Sequence, residues 1–235
     1  SVAMAAGSEA TAQAAQIVLL DSDFSRMPEI VLEGRRVVNN VQRSASLFLV
    51  KNLFSLLLTI FSTELMISYP LMPSQVSLIS MFTIGIPGFL LALEPNKSRI
   101  KGHFLGNVLL KALPAGLTDF FAVSALVICG HVFNIPSTDI ATASTLLIAV
   151  VGFMIMIKIS HPFNNFKYGI LALNIFGLIF CGLFLDNLFA MSDMSNICIL
   201  LTIVFGFAAE SMFRYITIFV EFIQNRMRKK KNALR

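Results

Sequence analysis

Four ionisable side chains stand inside long apolar runs of the sequence: Lys51, Asp119, Glu210 and Arg214. A charge surrounded by hydrocarbon is costly, so such residues either pair or mark a path for ions and protons. Glu210 and Arg214 are four apart and fall on one helix face, which reads as a structural pair. Asp119 reads either as a hydrogen-bonding link between helices or as a place on an ion path. Lys51 is followed by Asn52 and Ser55. Its ammonium either reaches for water on its long stem or serves as a built-in cation beside an ion site.

A second constellation lies in "SMFTIGIPGFLLALEP". Gly85, Pro87 and Gly88 in one apolar run predict local unwinding, which exposes backbone carbonyls near Gly85. Ser80 and Thr83 add hydroxyl oxygens just before the break, and hard cations take oxygen ligands. This is half of a cation site; the plain alternative is a proline kink that only shapes packing.

Such residues need a membrane scaffold, and the composition supplies one. The chain has 235 residues, 56 % hydrophobic and 13 % charged, with a mean hydropathy of +0.79. An ordinary soluble domain is about 45–50 % apolar and about 25 % charged. Disordered chains, coiled coils and ordinary soluble enzymes are therefore excluded. Six apolar runs, about 47–67, 76–93, 105–133, 140–157, 168–185 and 197–222, are each near the length of a spanning helix.

The flanks orient these runs. Lys97, Arg99 and Lys101 follow the second, Lys158 and Lys167 flank the gap after the fourth, and a basic tail (223–235) follows the sixth. The other three connections carry no Lys or Arg. By the positive-inside rule both termini are cytoplasmic, in a multi-pass protein of the cell membrane. The net charge of +5 is thereby a topological signal. With 22 Phe mainly in the apolar runs, it does not indicate a nucleic-acid partner. Cys129, Cys181 and Cys198 are isolated, as are the three His, so neither a zinc site nor a disulfide framework is indicated.

The first residues differ in kind. Val2–Met4 reads as a strand, "SEATAQAAQ" as a helix with Ser8 at its N-cap, and "IVLL" as a buried strand. Strand–helix–strand of this size is the tail of an α/β domain with a parallel sheet, too short to bury a core alone. Ser1 is not a start methionine, and the chain reads as a fragment. From Pro28 a helix runs uninterrupted by proline to about Met66: a charged stalk over 28–46, then the first apolar run.

"SVAMAAGSEATAQAAQIVLLDSDFSRMPEIVLEGRRVVNNVQRS" resembles the end of the phosphorylation domain of P-type ATPases and the stalk into their fifth membrane helix. "IVLLD", "EGR" and the Asn that follows carry the likeness. "LISMFTIGIPGFLLALEPN" is similar to the sixth membrane helix of a bacterial branch related to calcium pumps. The last four runs match mainly in number and spacing.

The resemblance implies a mainly α polytopic fold with six transmembrane helices, preceded over 1–27 by a short α/β remnant of the HAD-like phosphorylation domain. It implies an ATP-driven cation pump working through an aspartyl phosphate, with ATP and Mg2+ held by an upstream part of the same protein. It also names the lipid bilayer and the transported cation as partners, with calcium as the leading ion. The family's DKTGT and TGDGxND motifs are not in this sequence. No catalytic residue is therefore assigned, and this stretch alone is expected not to hydrolyse ATP. Aligned on "GIP" and the Pro73 connection, the calcium-pump ligand positions fall on Asn52, Ser55, Ser80, Thr83 and Ile84. Asn52 and Thr83 are kept as metal ligands, and both carboxylates are replaced, by Ser55 and Ile84. One cation site is expected rather than two. Other readings are a lipid or polyamine flippase of the same class, and a stand-alone six-span protein of structural or regulatory role.

Overall fold

The structure, a computed structural model, describes residues 1–94, 96–100 and 102–233, with the side chains of 225 and 227–233 outside that description. Lys101 and the last two residues of the basic tail, 234–235, therefore lie outside the described residues. The chain divides into two compact units, Ser1–Asn40 with Pro95–Lys101, and Val41–Glu94 with Gly102–Arg235.

In the first unit, β1 (Val2–Met4) and β2 (Ile17–Leu19) pair in parallel, Ala3 opposite Val18, across α1 (Glu9–Ala14). The Ser8 hydroxyl caps α1 by accepting from the Thr11 amide at 3.3 Å. A 3-10 turn, Phe24–Arg26, follows, capped by the Asp23 carboxylate. Its oxygens accept from the Ser25 amide at 2.9 Å and the Ser25 hydroxyl at 2.8 Å. These bonds hold the Asp23 carboxyl below the usual aspartate range. Only Ala3 and Leu19 are buried in the two strands, while Leu20 and Phe24 are exposed. The sheet is thus as thin as its sequence implies.

Then comes α2 (Met27–Glu64), 38 residues with no interior proline after Pro28. At 1.5 Å per residue it is ~57 Å long, about twice the hydrocarbon thickness. In the first unit the Asn39 amide donates to the carbonyls of Asn96 and Ser98, at 3.0 and 2.9 Å.

The second unit is a helical bundle. After α2 come α3 (Pro73–Ser80), a π turn (Met81–Gly85), α4 (Ile86–Leu93), α5 (Phe104–Val132), α6 (Ser137–Ser160), α7 (Asn165–Phe184), the short α8 (Asp186–Phe189) and α9 (Asn196–Ala233). Among the described residues, six helices, α3 to α4 counted as one, are long and apolar enough to cross a membrane. The chain is a multi-pass membrane protein.

The most enclosed of the six is α6, packed against α3, α5, α7 and α9. Its buried positions are largely Ala, Gly, Ser and Thr together with Leu, Ile and Val, and small side chains let neighbouring backbones approach closely. Outer faces stay apolar instead of turning polar: Phe176, Phe180 and Phe184 stack along α7 and are all exposed. That inversion suits lipid as solvent.

The sequence predicts unwinding at Gly85–Gly88, and the structure corrects this. The helix continues through as a π turn, with the Ile86 amide bonded five residues back to the Met81 carbonyl. Pro87 sits in the first turn of α4, where its missing N–H costs least. One extra residue in the turn absorbs what would otherwise be a break. The two halves of the span meet different partners: α3 packs on α6, α4 on α7.

Candidate functional site

A cavity of about 310 Å³ lies within the second unit, walled by α2, α3, the π turn, α5 and α6. Its position follows from helix phase. Leu47, Val50, Lys51, Phe54 and Ser55 of α2 line it, a stripe at three- and four-residue spacing. Asn52, one residue on, is turned about 100° away; it is exposed and absent from the lining. Ser80, Thr83 and Ile84 line the facing wall. Gly85 is exposed and does not.

Thr83 is 3 % exposed. Its hydroxyl donates to the Ile79 carbonyl at 2.8 Å, and the Ser80 hydroxyl donates to the Val76 carbonyl at 2.6 Å. A hydroxyl has one proton and two acceptor lone pairs. With both protons engaged in their own helix, both oxygens present only lone pairs to anything else. Ser55 Oγ lies 3.4 Å from the Tyr69 hydroxyl, and Tyr69 also reaches the lining.

The wall opposite Thr83 is Gly152 of α6. A Cβ built there would stand 2.7 Å from Thr83 Cγ2, closer than real Cβ contacts. Glycine is therefore what lets α6 approach the π turn closely enough to enclose Thr83.

Asp119 enters from α5. It is 2 % exposed, it lines the cavity, and its Oδ1 has no hydrogen-bond partner. Lys51 is half-buried on the same lining. Among the described residues it forms no ion pair, with Asp119 or any other carboxylate. Groups of three or more His, Cys, Asp or Glu able to hold a metal ion are absent among the described residues. Any cation here would rest on hydroxyls, carbonyls and one carboxylate.

Of the residues singled out by sequence, Lys51, Ser55, Ser80, Thr83 and Asp119 come together, and Asn52 and Gly85 do not. Glu210 and Arg214 stand apart and unpaired. Both are exposed, beside the buried Ala209 and Phe213, and no ion pair joins them among the described residues. Arg214 lies instead 6.0 Å from the Tyr215 ring centroid. Helix spacing permits the pair, but on an outer face nothing forces it.

No protein-family model matches the chain. A probable cation-transporting ATPase, exp7, of Streptococcus pneumoniae is 33 % identical over 192 residues, covering 78 % of this chain and 25 % of that protein. A calcium-transporting ATPase, CtpE, of Mycolicibacterium smegmatis is 35 % identical over 178 residues, covering 69 % of this chain and 22 % of that protein. The chain belongs to the P-type ATPases.

This P-type ATPase chain spans about a quarter of the length of these curated relatives. A calcium-transporting ATPase of Bacillus subtilis matches over a shorter stretch, 26 % identical over 88 residues, 37 % of this chain and 10 % of that protein. Two residues of the P-type ATPase cavity escape sequence reasoning. Tyr69 lies in a connection, where nothing marks it. Gly152 interrupts a run of bulky apolar residues, and that small side chain is a usable signal.

Proposed function

We propose that this chain is the membrane transport part of an ATP-driven cation pump, with calcium as cargo. The cavity among α2, the π turn, α5 and α6 is where the cation rests in transit. One observation carries this reading: the Ser80 and Thr83 hydroxyls spend their protons on their own helix and keep lone pairs for a ligand. Such oxygens suit a hard cation. The names borne by the relatives supply the ion and the energy source.

In this reading residues 1–27 close a phosphorylation domain, 28–46 form a stalk, 47–222 transport, and 223–235 form a basic cytoplasmic tail. ATP and Mg2+ act on a part of the protein outside this chain, through an aspartyl phosphate, and α2 passes the resulting motion to Ser55. Both termini face the cytoplasm. Two ion pairs support a common side for the basic flanks. Lys167–Glu94 at 3.0 Å joins the start of α7 to the end of α4. Lys158–Glu221 at 2.9 Å joins the end of α6 to the late turns of α9.

The test is phosphoenzyme formation from ATP by the purified full-length protein that contains this chain. Calcium is expected to raise the acid-stable phosphoenzyme. Thr83→Ala is expected to raise the calcium required by about 3–10-fold, as loss of one oxygen ligand does. A phosphoenzyme that, with Mg2+ held constant, is indifferent to every other cation added, and is stimulated by lipid or polyamine, would overturn the reading.

A further inference from the structure

We infer that Asp119, on α5, is the carboxylate that binds the transported cation. The inference rests on reading the cavity as the cation's resting place, and adds to it the source of negative charge.

The cavity needs such a source. Its other described polar walls are the neutral Ser55, Tyr69, Ser80 and Thr83 and the cationic Lys51, and the rest is mostly apolar. A divalent ion that leaves water for such surroundings is not held by hydroxyls alone. Asp119 is the acidic residue among the described lining residues.

Its bonding state separates the two readings that the sequence leaves open. A carboxylate that links helices would hydrogen-bond across to another span. Asp119 Oδ1 is buried without any partner. Buried polar atoms are almost always partnered, and an exception calls for a ligand, water or ion. Nor is Asp119 already the counter-ion of Lys51, since no ion pair joins them. The carboxylate lines the same cavity as the Ser80 and Thr83 hydroxyls, whose protons are engaged in their own helix. Lys51 adds one positive charge to the same lining, which leaves room for one bound cation and not for two.

The test uses the full-length protein in membrane vesicles and a hydrophobic carbodiimide, dicyclohexylcarbodiimide, which converts carboxyl groups in apolar surroundings to N-acylureas. Peptide mass spectrometry reads the adduct on Asp119. Saturating calcium is expected to lower that adduct by about fivefold or more, since an ion held by the carboxylate shields it. In parallel, Asp119→Asn is expected to raise the calcium needed for phosphoenzyme by about tenfold or more, with Asp119→Glu recovering part of the loss, because ligand charge tunes affinity.

If Asp119 takes no adduct while other carboxyls do, the inference fails. It fails equally if calcium, manganese and magnesium all leave the adduct unchanged while wild type still forms a cation-dependent phosphoenzyme. A wild-type protein whose phosphoenzyme, at constant Mg2+, depends on no other added cation fails the pump reading itself, and the inference with it. The labelling needs no variant, so a misfolded Asp119→Asn protein does not blunt it.

Discussion

Lys167 Nζ stands 3.0 Å from Glu94 Oε2 and donates to the Pro162 carbonyl at 2.8 Å. The other Glu94 oxygen accepts from Asn164 Nδ2 at 2.6 Å. Lys167 is buried and Glu94 partly so. A residue that the sequence counts as a loop charge is therefore a bolt between α4 and α7. Removing one member leaves the other charge without its partner. Lys167→Met alone is expected to destabilise the protein by about 1–3 kcal/mol, and the double variant Lys167→Met/Glu94→Leu by less. Thermal unfolding in detergent checks the order; equal losses would show that the two residues are not coupled.

Gly152→Ala sets a methyl against Thr83. The added carbon has no space, and forcing it in is expected to cost about 1–3 kcal/mol in stability. It is also expected to raise the cation requirement of the pump. Thr83→Ser removes the nearest obstructing atom, Cγ2, and is expected to recover part of the loss in the double variant. No recovery would mean that α6 and the π turn do not meet through this contact.

Lys51→Met tests the charge balance of the cavity. Removing a positive charge beside the cargo is expected to raise apparent calcium affinity by about tenfold, and to change the charge moved per cycle. Calcium titration of the phosphoenzyme, with current measurement on a supported membrane, reads both. Unchanged values would reduce Lys51 to packing.

Asn52 and Thr83 are the two ligand positions that the resemblance keeps, and the structure treats them unequally. Thr83 lines the cavity while Asn52 is exposed. Thr83→Ala is therefore expected to shift the calcium requirement more than Asn52→Ala, which should stay within about twofold of wild type. The reverse order would place the cation on the other face of α2.

Asp23 makes a prediction in pH. Its carboxyl titrates below the usual aspartate range because Ser25 donates to the ionised form. The folded value lies below the unfolded one. Its contribution to the Phe24–Arg26 turn is then complete above the unfolded value and is lost as pH falls through the folded one. A carboxyl-carbon NMR titration of Asp23 should show the low midpoint, and Ser25→Ala should move it upward.

The membrane spans are legible in the sequence because burial in lipid leaves a long, unbroken apolar run whichever face turns inward. Helix phase is legible too: Lys51 and Ser55, four apart, do share a wall. What stays hidden is anything that depends on which helix lies beside which. Nothing at Asp119 says that it faces the same space as Thr83, nor that Gly152 stands across from it. Gly85 and Pro87 signal a disturbance but not its form, since one extra residue per turn and a frank break suit the same two residues. Glu210 and Arg214 have the right spacing for a pair, yet spacing alone does not supply the confinement that makes pairing worthwhile.

The π turn at Met81–Gly85 has a consequence for how this span is addressed by its neighbours. One residue beyond what the α-helical turns require offsets everything after it by about 100°. The stripe that meets α6 in the first half therefore does not prolong itself into the second, which is handed to α7. The span works as a single axle with two keyways cut at different angles. Deleting one residue from the turn would hardly shorten the axle, but it would swing the second keyway away from its partner. Length can thus be conserved in this segment while fit is lost, and tolerance to insertion or deletion should be lower here than anywhere else along the helix.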